Sequence, residues 1–275
     1  MSYIDEDLSV THEAFFASKD TAKDIVTVLK CLLSKDKAKT CSMVITDEGI
    51  QVVVDEKANM QWNAYFKRNV FTDYDIRVGT IYLRLPLHDL MEAINALSPQ
   101  AKVEFRYKED GAPFVINVQH ENSRLTVAIK SFNAQNILDF DFGSDAILAK
   151  VLLLPKTIKD VIRDIDSAPP TVRFKITQNE FEISYHSELL KASALFPNYS
   201  REVAEIMVKD EIVSFHYKAT LIKRLLPALR ATGKVGIRIN ERGILSVQFP
   251  ILQEDKQTNF VEFYCVPDLD ETEIL

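Results

Sequence analysis

Along much of the chain, apolar and polar side chains alternate with the period of a strand that buries one face. Two such runs, 42–46 and 51–55, flank Asp47-Glu48-Gly49, a short turn ending in glycine where a left-handed backbone is needed. Three more, 102–108, 114–120 and 124–130, are separated by Glu109-Asp110-Gly111 and Glu121-Asn122-Ser123, and predict a meander. The second half continues the pattern at 172–177, 182–186, 189–195, 213–217, 235–239, 245–250 and 260–266. Strands dominate the expected fold.

Helical periodicity interrupts these strands at 21–34, 87–98, 156–166 and 219–232. Apolar residues recur there at spacings of three and four: Ile25, Leu29, Leu32 and Leu33; Leu87, Leu90, Met91, Ile94 and Leu97; Ile158, Val161, Ile162 and Ile165; Leu221, Ile222, Leu225, Leu226 and Leu229. Each helix is therefore one-sided and must lie on something. Helices on one face of extended antiparallel sheets, an α+β arrangement, satisfy that need.

The outward faces of these helices carry the candidate chemistry. In the fourth, Lys223 and Arg224 turn outward with Arg230 at the flank, Lys218 and Lys234 bracket them, and no acidic residue lies between. The third offers Lys156, Lys159 and Arg163 beside Asp160 and Asp164, and the first offers Lys23 and Lys30 beside Asp24. The second departs from this, with His88, Asp89 and Glu92. Lysine-rich helix faces also serve solubility, and for any one helix that reading stays open. Taken together, the basic faces suit diffuse contact with phosphates and lack groups that read bases.

Composition narrows the classes. At 275 residues and 47% hydrophobic, the chain has material for one or two sizeable cores, and its net charge of −7 argues against a protein that grips DNA over its whole surface. No apolar run approaches a membrane span, and the acidic start MSYIDEDLSV is unlike a signal peptide, which places the chain in the cytosol or nucleus. Cys31, Cys41 and Cys265 stand far apart, the reading for buried inert thiols. Glycine patterns for phosphate cradles and nucleophile elbows are missing, and His12, His88, His120, His186 and His216 are scattered singly. No cofactor or metal is expected. The nearest carboxylate cluster for metal-assisted nuclease chemistry is Asp139, Asp141 and Asp145.

Several stretches resemble a known family. They are Gln61-Trp62-Asn63-Ala64-Tyr65-Phe66 after Gly49-Ile50, Leu138-Asp139-Phe140-Asp141-Phe142, the run RINERGILSVQ over 238–248, and FVEFYCVPD over 260–268. Together with element order they resemble, from about Glu13 to Asp268, the Rad-one subunits of the heterotrimeric DNA-damage checkpoint clamp, the nine-one-one complex. The resemblance implies the sliding-clamp fold: two similar domains at 1–132 and 146–275, an interdomain connector at 133–145, antiparallel sheets outside and two helices per domain facing a DNA channel. It implies a nuclear protein with Rad-nine-like and Hus-one-like subunits as ring partners, a clamp loader, checkpoint and repair effectors, and no catalysis. Ring closure by edge-strand pairing points to 124–130, with Leu125, Val127 and Ile129 on one face, and 189–195, with Leu190, Ala192 and Ala194. The competing readings are a 3'-5' exonuclease and a homotrimeric replication clamp.

Overall fold

The fold was analysed in a computed structural model that describes residues 13–33, 39–56, 59–133, 137, 140, 142, 147–165, 171–186, 190–253 and 256–268. Its first half runs β1 (Phe15–Lys19), α1 (Lys23–Leu32), β2 (Thr40–Thr46), β3 (Gly49–Glu56), β4 (Met60–Lys67), β5 (Asp73–Ile76), β6 (Ile81–Pro86), α2 (Leu87–Ile94), β7 (Lys102–Tyr107), β8 (Phe114–His120) and β9 (Ser123–Ile129). A two-residue strand, β10 (Phe132–Asn133), follows. The second half runs β11 (Ile147–Leu153), α3 (Pro155–Asp164), β12 (Thr171–Thr177), β13 (Glu180–His186), β14 (Lys191–Pro197), β15 (Val203–Val208) and β16 (Ile212–Lys218). It ends with α4 (Ala219–Ile222), α5 (Leu226–Ala231), β17 (Val235–Asn240), β18 (Leu245–Leu252) and β19 (Thr258–Cys265).

The strands form antiparallel sheets in the orders β5-β1-β7-β8-β9, β14-β13-β12-β16, and a ten-stranded β10-β6-β2-β3-β4-β19-β18-β17-β11-β15. The connectivity repeats: β15-β11-β17-β18-β19 matches β5-β1-β7-β8-β9, and β16-β12-β13-β14 matches β6-β2-β3-β4. The pairing of β4 with β19 fuses one half to the other, in the register Ala64↔Val261, Trp62↔Phe263 and Met60↔Cys265. Trp62 is buried there with its ring centroid 4.8 Å from Phe263 and 5.9 Å from Phe249, a joint of large apolar area.

The expected meander is β7-β8-β9, and Gly49, which ends the first expected turn, takes φ +146°, where an added Cβ would collide with the Phe66 carbonyl oxygen. The structure adds strands that alternation leaves unassigned. In β4 both faces are buried over Met60 to Ala64, so Gln61 and Asn63 interrupt the apolar pattern. Those two side chains satisfy each other through Asn63 Nδ2 to Gln61 Oε1 at 3.0 Å. The fourth helix, expected as one piece over 219–232, breaks into α4 and α5 around a 3-10 turn at Lys223–Leu225. Pro227 causes the break, since it has no N–H to donate to the carbonyl four residues earlier and its ring crowds that carbonyl. Helix α2 stops at Ile94 rather than at 98, ahead of the Ser98-Pro99 step.

Candidate nucleic-acid interface and sheet edges

The helices stand side by side in the order α2, α1, α5, α3, with α1 seated on β4 and β19 and α5 on β18. Their apolar stripes are buried: Ile25, Val28, Leu29 and Leu32 of α1, Leu87, Leu90 and Ile94 of α2, Ile158 and Ile162 of α3, Ala228 and Leu229 of α5. The opposite side of this layer is the surface on which the predicted cations fall.

Lys23, Lys30, Lys156, Arg163, Lys218, Arg230 and Lys234 are exposed, and Lys159, Lys223 and Arg224 are half-buried. The charges are not equally available. Arg163 donates to Asp160 at 2.9 Å and to Asp164 at 3.0 Å, so its charge is largely offset on its own helix. Arg224 does not project freely as its helical position suggests, but pairs with Glu56, at the end of β3 in the other half. Lys39 binds the same carboxylate at 3.0 Å. Burial works against ionisation of Glu56, but Lys39 and Arg224 outweigh it and hold the carboxyl below its ordinary value. Lys30, Lys156, Lys159, Lys218, Lys223 and Arg230 form no ion pair among the described residues.

Asp24, expected beside Lys23 on the outer face, is instead buried and faces Lys19 at 3.6 Å. One acidic group is thereby removed from the surface of α1. On α2, His88 pairs with Glu92 at 3.0 Å and Asp89 is exposed, so this end of the layer is acidic.

The two strands expected to close a ring are both sheet edges. β9 ends one sheet and β14 ends another, each paired on one side only among the described residues. On β9, Leu125, Val127 and Ile129 face inward, and Arg124, Thr126, Ala128 and Lys130 face out. On β14, Ala192, Ala194 and Phe196 face inward with Leu190 just before them, while Lys191, Ser193 and Leu195 face out.

The connector lies largely outside the described residues, which include Phe140 and Phe142. Phe140 is buried and stacks on Tyr264 at 5.8 Å with an interplanar angle of 11°. Its carbonyl accepts from Arg242 Nη2 at 2.7 Å, and Arg238 lies 4.9 Å from the ring centre of Phe142. Sequence reasoning missed this anchor, although its aromatic partner sits within FVEFYCVPD. Glu262, in the same run, accepts from Arg238, from Ser246 at 2.8 Å and from Gln248 at 3.2 Å. Burial, with the Glu262 carboxylate adding to it, drives the Tyr264 hydroxyl well above its usual range.

Among the described residues no group of three or more His, Cys, Asp or Glu is placed to hold a metal. The candidate nuclease carboxylates Asp139, Asp141 and Asp145 lie outside them. Burial pushes the thiols of Cys31, Cys41 and Cys265 up to about 12, which makes them unreactive. Among the described residues no helix is long and apolar enough to cross a membrane.

Comparison with known proteins adds identity to this geometry. A family model described as "Repair protein Rad1/Rec1/Rad17" matches residues 14–251. The "Cell cycle checkpoint protein RAD1" of Mus musculus is 27% identical over 260 residues, covering 92% of this chain and 91% of the mouse protein. The "DNA repair exonuclease REC1" of Mycosarcoma maydis is 22% identical, over 63% of this chain and 50% of that one. Among solved structures, the Proliferating Cellular Nuclear Antigen of Entamoeba histolytica superposes with a TM-score of 0.76 at 15% identity, covering 94% of this chain and all of that one. The fold is that of a sliding clamp.

Proposed function

The chain belongs to the Rad1/Rec1/Rad17 family of repair proteins, and from that premise we propose that it is one subunit of a heterotrimeric DNA-damage checkpoint clamp. It acts by encircling duplex DNA and recruiting signalling and repair factors, without chemistry of its own. The observation that carries this reading is the pair of edges β9 and β14, open among the described residues, which repeat the strands β19 and β4 that are joined inside the chain. A protein that closes one such joint internally and leaves both counterparts open is built to be continued by neighbours on either side.

In this reading residues 1–132 and 146–275 are the two clamp domains and 133–145 the connector between them. Rad-nine-like and Hus-one-like subunits complete the ring, a loader opens it, and the assembly works in the nucleus. The helical layer lines the channel, where Lys23, Lys30, Lys156, Lys159, Lys218, Lys223 and Arg230 meet phosphates. Arg163 and Arg224, each already paired with carboxylates, contribute less.

Co-expression with the two other subunits followed by molar-mass determination tests this. A one-to-one-to-one assembly is the expected result. A stable homotrimer of this chain would redirect the reading to a replication-type clamp. A lone monomer that cleaves DNA with a divalent metal, and loses that activity on Asp139 and Asp141 substitution, would replace it with the exonuclease.

A further inference from the structure

The outer faces of the two open edges differ in a way that selects what each will accept. The internal joint supplies the ruler. Met60, Trp62, Ala64 and Phe66 of β4 recur in β14 and just before it as Leu190, Ala192, Ala194 and Phe196. Val261, Phe263 and Cys265 of β19 recur in β9 as Leu125, Val127 and Ile129. Carrying over the internal register, in which Ala64 faces Val261, sets a β14-like strand against β9 so that the position of Ala194 faces Leu125. On the outer face, the position of Leu195 then faces Arg124, that of Ser193 faces Thr126 and that of Lys191 faces Ala128.

Arg124 and Lys130 are exposed, stand near the two ends of β9, and have no ion-pair partner among the described residues. The next strand offers them nothing acidic either: Gln119 lies across from Arg124, and Asn117 and Val115 follow. A second copy of this chain is little better, because the outward positions of its β14 are Lys191, Ser193 and Leu195, and the carboxylate behind them on that face, Glu182 of β13, already accepts from Ser193 at 2.8 Å and faces Lys175 at 4.0 Å. A homotypic junction would place no edge carboxylate against Arg124 or against Lys130, which lies 5.4 Å from the Phe132 ring centre, and would add a third cation.

We propose that β9 is a selective edge: it pairs antiparallel with the edge strand of a different subunit, whose outward side chains place carboxylates against Arg124 and Lys130. This pairing, and not the apolar inner face, excludes self-closure, since Leu125, Val127 and Ile129 would accept Ala194, Ala192 and Leu190 of a second copy without conflict. The inference rests on the clamp reading and adds the chemistry of the neighbour.

The test is assembly of this chain with the two other checkpoint-clamp subunits at several salt concentrations, comparing wild type with R124E/K130E and the neutral R124Q/K130Q. Reversal is expected to weaken assembly roughly ten- to a hundredfold at low salt, with the neutral variant between and the gap narrowing as salt rises. Both variants should keep the wild-type circular dichroism and thermal midpoint, because the two side chains are exposed. Exchange of the partner's facing carboxylates for lysine should restore binding to the reversed chain. Equal assembly of all three proteins would overturn the selective edge and leave the clamp reading standing. So would concentration-dependent self-association of the wild-type chain alone. Failure of the wild-type chain to join the two subunits would remove the clamp reading, and this inference with it.

Discussion

The joint between β4 and β19 and the open edges β9 and β14 are two versions of one piece of structure, and only one of them is closed within the chain. Their inner faces keep the same alternation but differ in bulk. Trp62 fills the closed joint, whereas its counterpart in β14 is Ala192. Their outer faces differ more. At the closed joint Gln61, Asn63 and Glu262 are buried and hydrogen-bonded to neighbouring side chains, and Phe140 covers Tyr264. At the open edges the equivalent positions hold exposed Lys191, Ser193, Thr126 and Ala128, and exposed Arg124 and Lys130 stand near the two ends of β9. A sheet joint made for permanence is heavy and internally satisfied, and one made for assembly stays light and leaves its charges for a partner.

The largest effect that would break this comparison comes from the weight of the closed joint. Trp62→Ala removes a fully buried indole that touches both halves and should cost about 3–5 kcal/mol in urea unfolding. The two halves should then lose cooperativity, visible as separate transitions for probes placed in each. A loss under about 1 kcal/mol would mean that β4 and β19 do not bear the joint.

Next comes the outer face of the same joint. Glu262 is buried and accepts three donors, Arg238 among them. Glu262→Ala leaves Arg238 without its carboxylate and Ser246 without its acceptor, a cost of about 1–3 kcal/mol. Arg238→Ala should lose less, since the remaining carboxylate keeps Ser246 and Gln248. If the two substitutions cost the same, the pair matters only as a pair; a double-mutant cycle measures this.

The helices and the meander were legible because each buries one clean stripe, so Ile25 and Leu29, or Phe114 and Ile116, announce their partners by spacing alone. Strand order was enough to mark 124–130 as an edge, and β14 is an edge too, although it begins at Lys191. Contacts between distant segments left no such trace. Nothing near Arg224 in the sequence points to Glu56, nothing near Asp24 signals that it turns inward to Lys19, and β4 hides its strand because the middle of a ten-stranded sheet buries both faces. The break in the fourth helix was the exception, since Pro227 was in plain view.

A smaller effect separates the cations of the helical layer. Lys223→Ala and Arg230→Ala should each weaken retention on DNA and lower the salt dependence of binding by about one charge. Arg224→Ala should change that slope by less, because its charge is already answered by Glu56. The slope of binding against salt concentration distinguishes them. Equal slopes for Lys223→Ala and Arg224→Ala would mean that Glu56 releases Arg224 when DNA is bound.

The smallest effect is the pH dependence of that same bridge. Lys39 and Arg224 overcome the burial of Glu56 and depress its carboxyl relative to the unfolded chain. A carboxyl lowered in the folded state stabilises the protein at pH values above its unfolded value, and that contribution disappears as pH falls through the folded value. Glu56 is partly open to solvent, so screening keeps the contribution below about 1 kcal/mol. Glu56→Gln should therefore lower the thermal midpoint at neutral pH by no more than about 2–4 °C. The difference from wild type should shrink as pH drops below about 4, the value of the unfolded carboxyl, and vanish below the lower folded value, where the group is protonated in both states. A gap that persists undiminished into acid would show that Glu56 holds the two halves by hydrogen bonding and shape, with its charge unimportant.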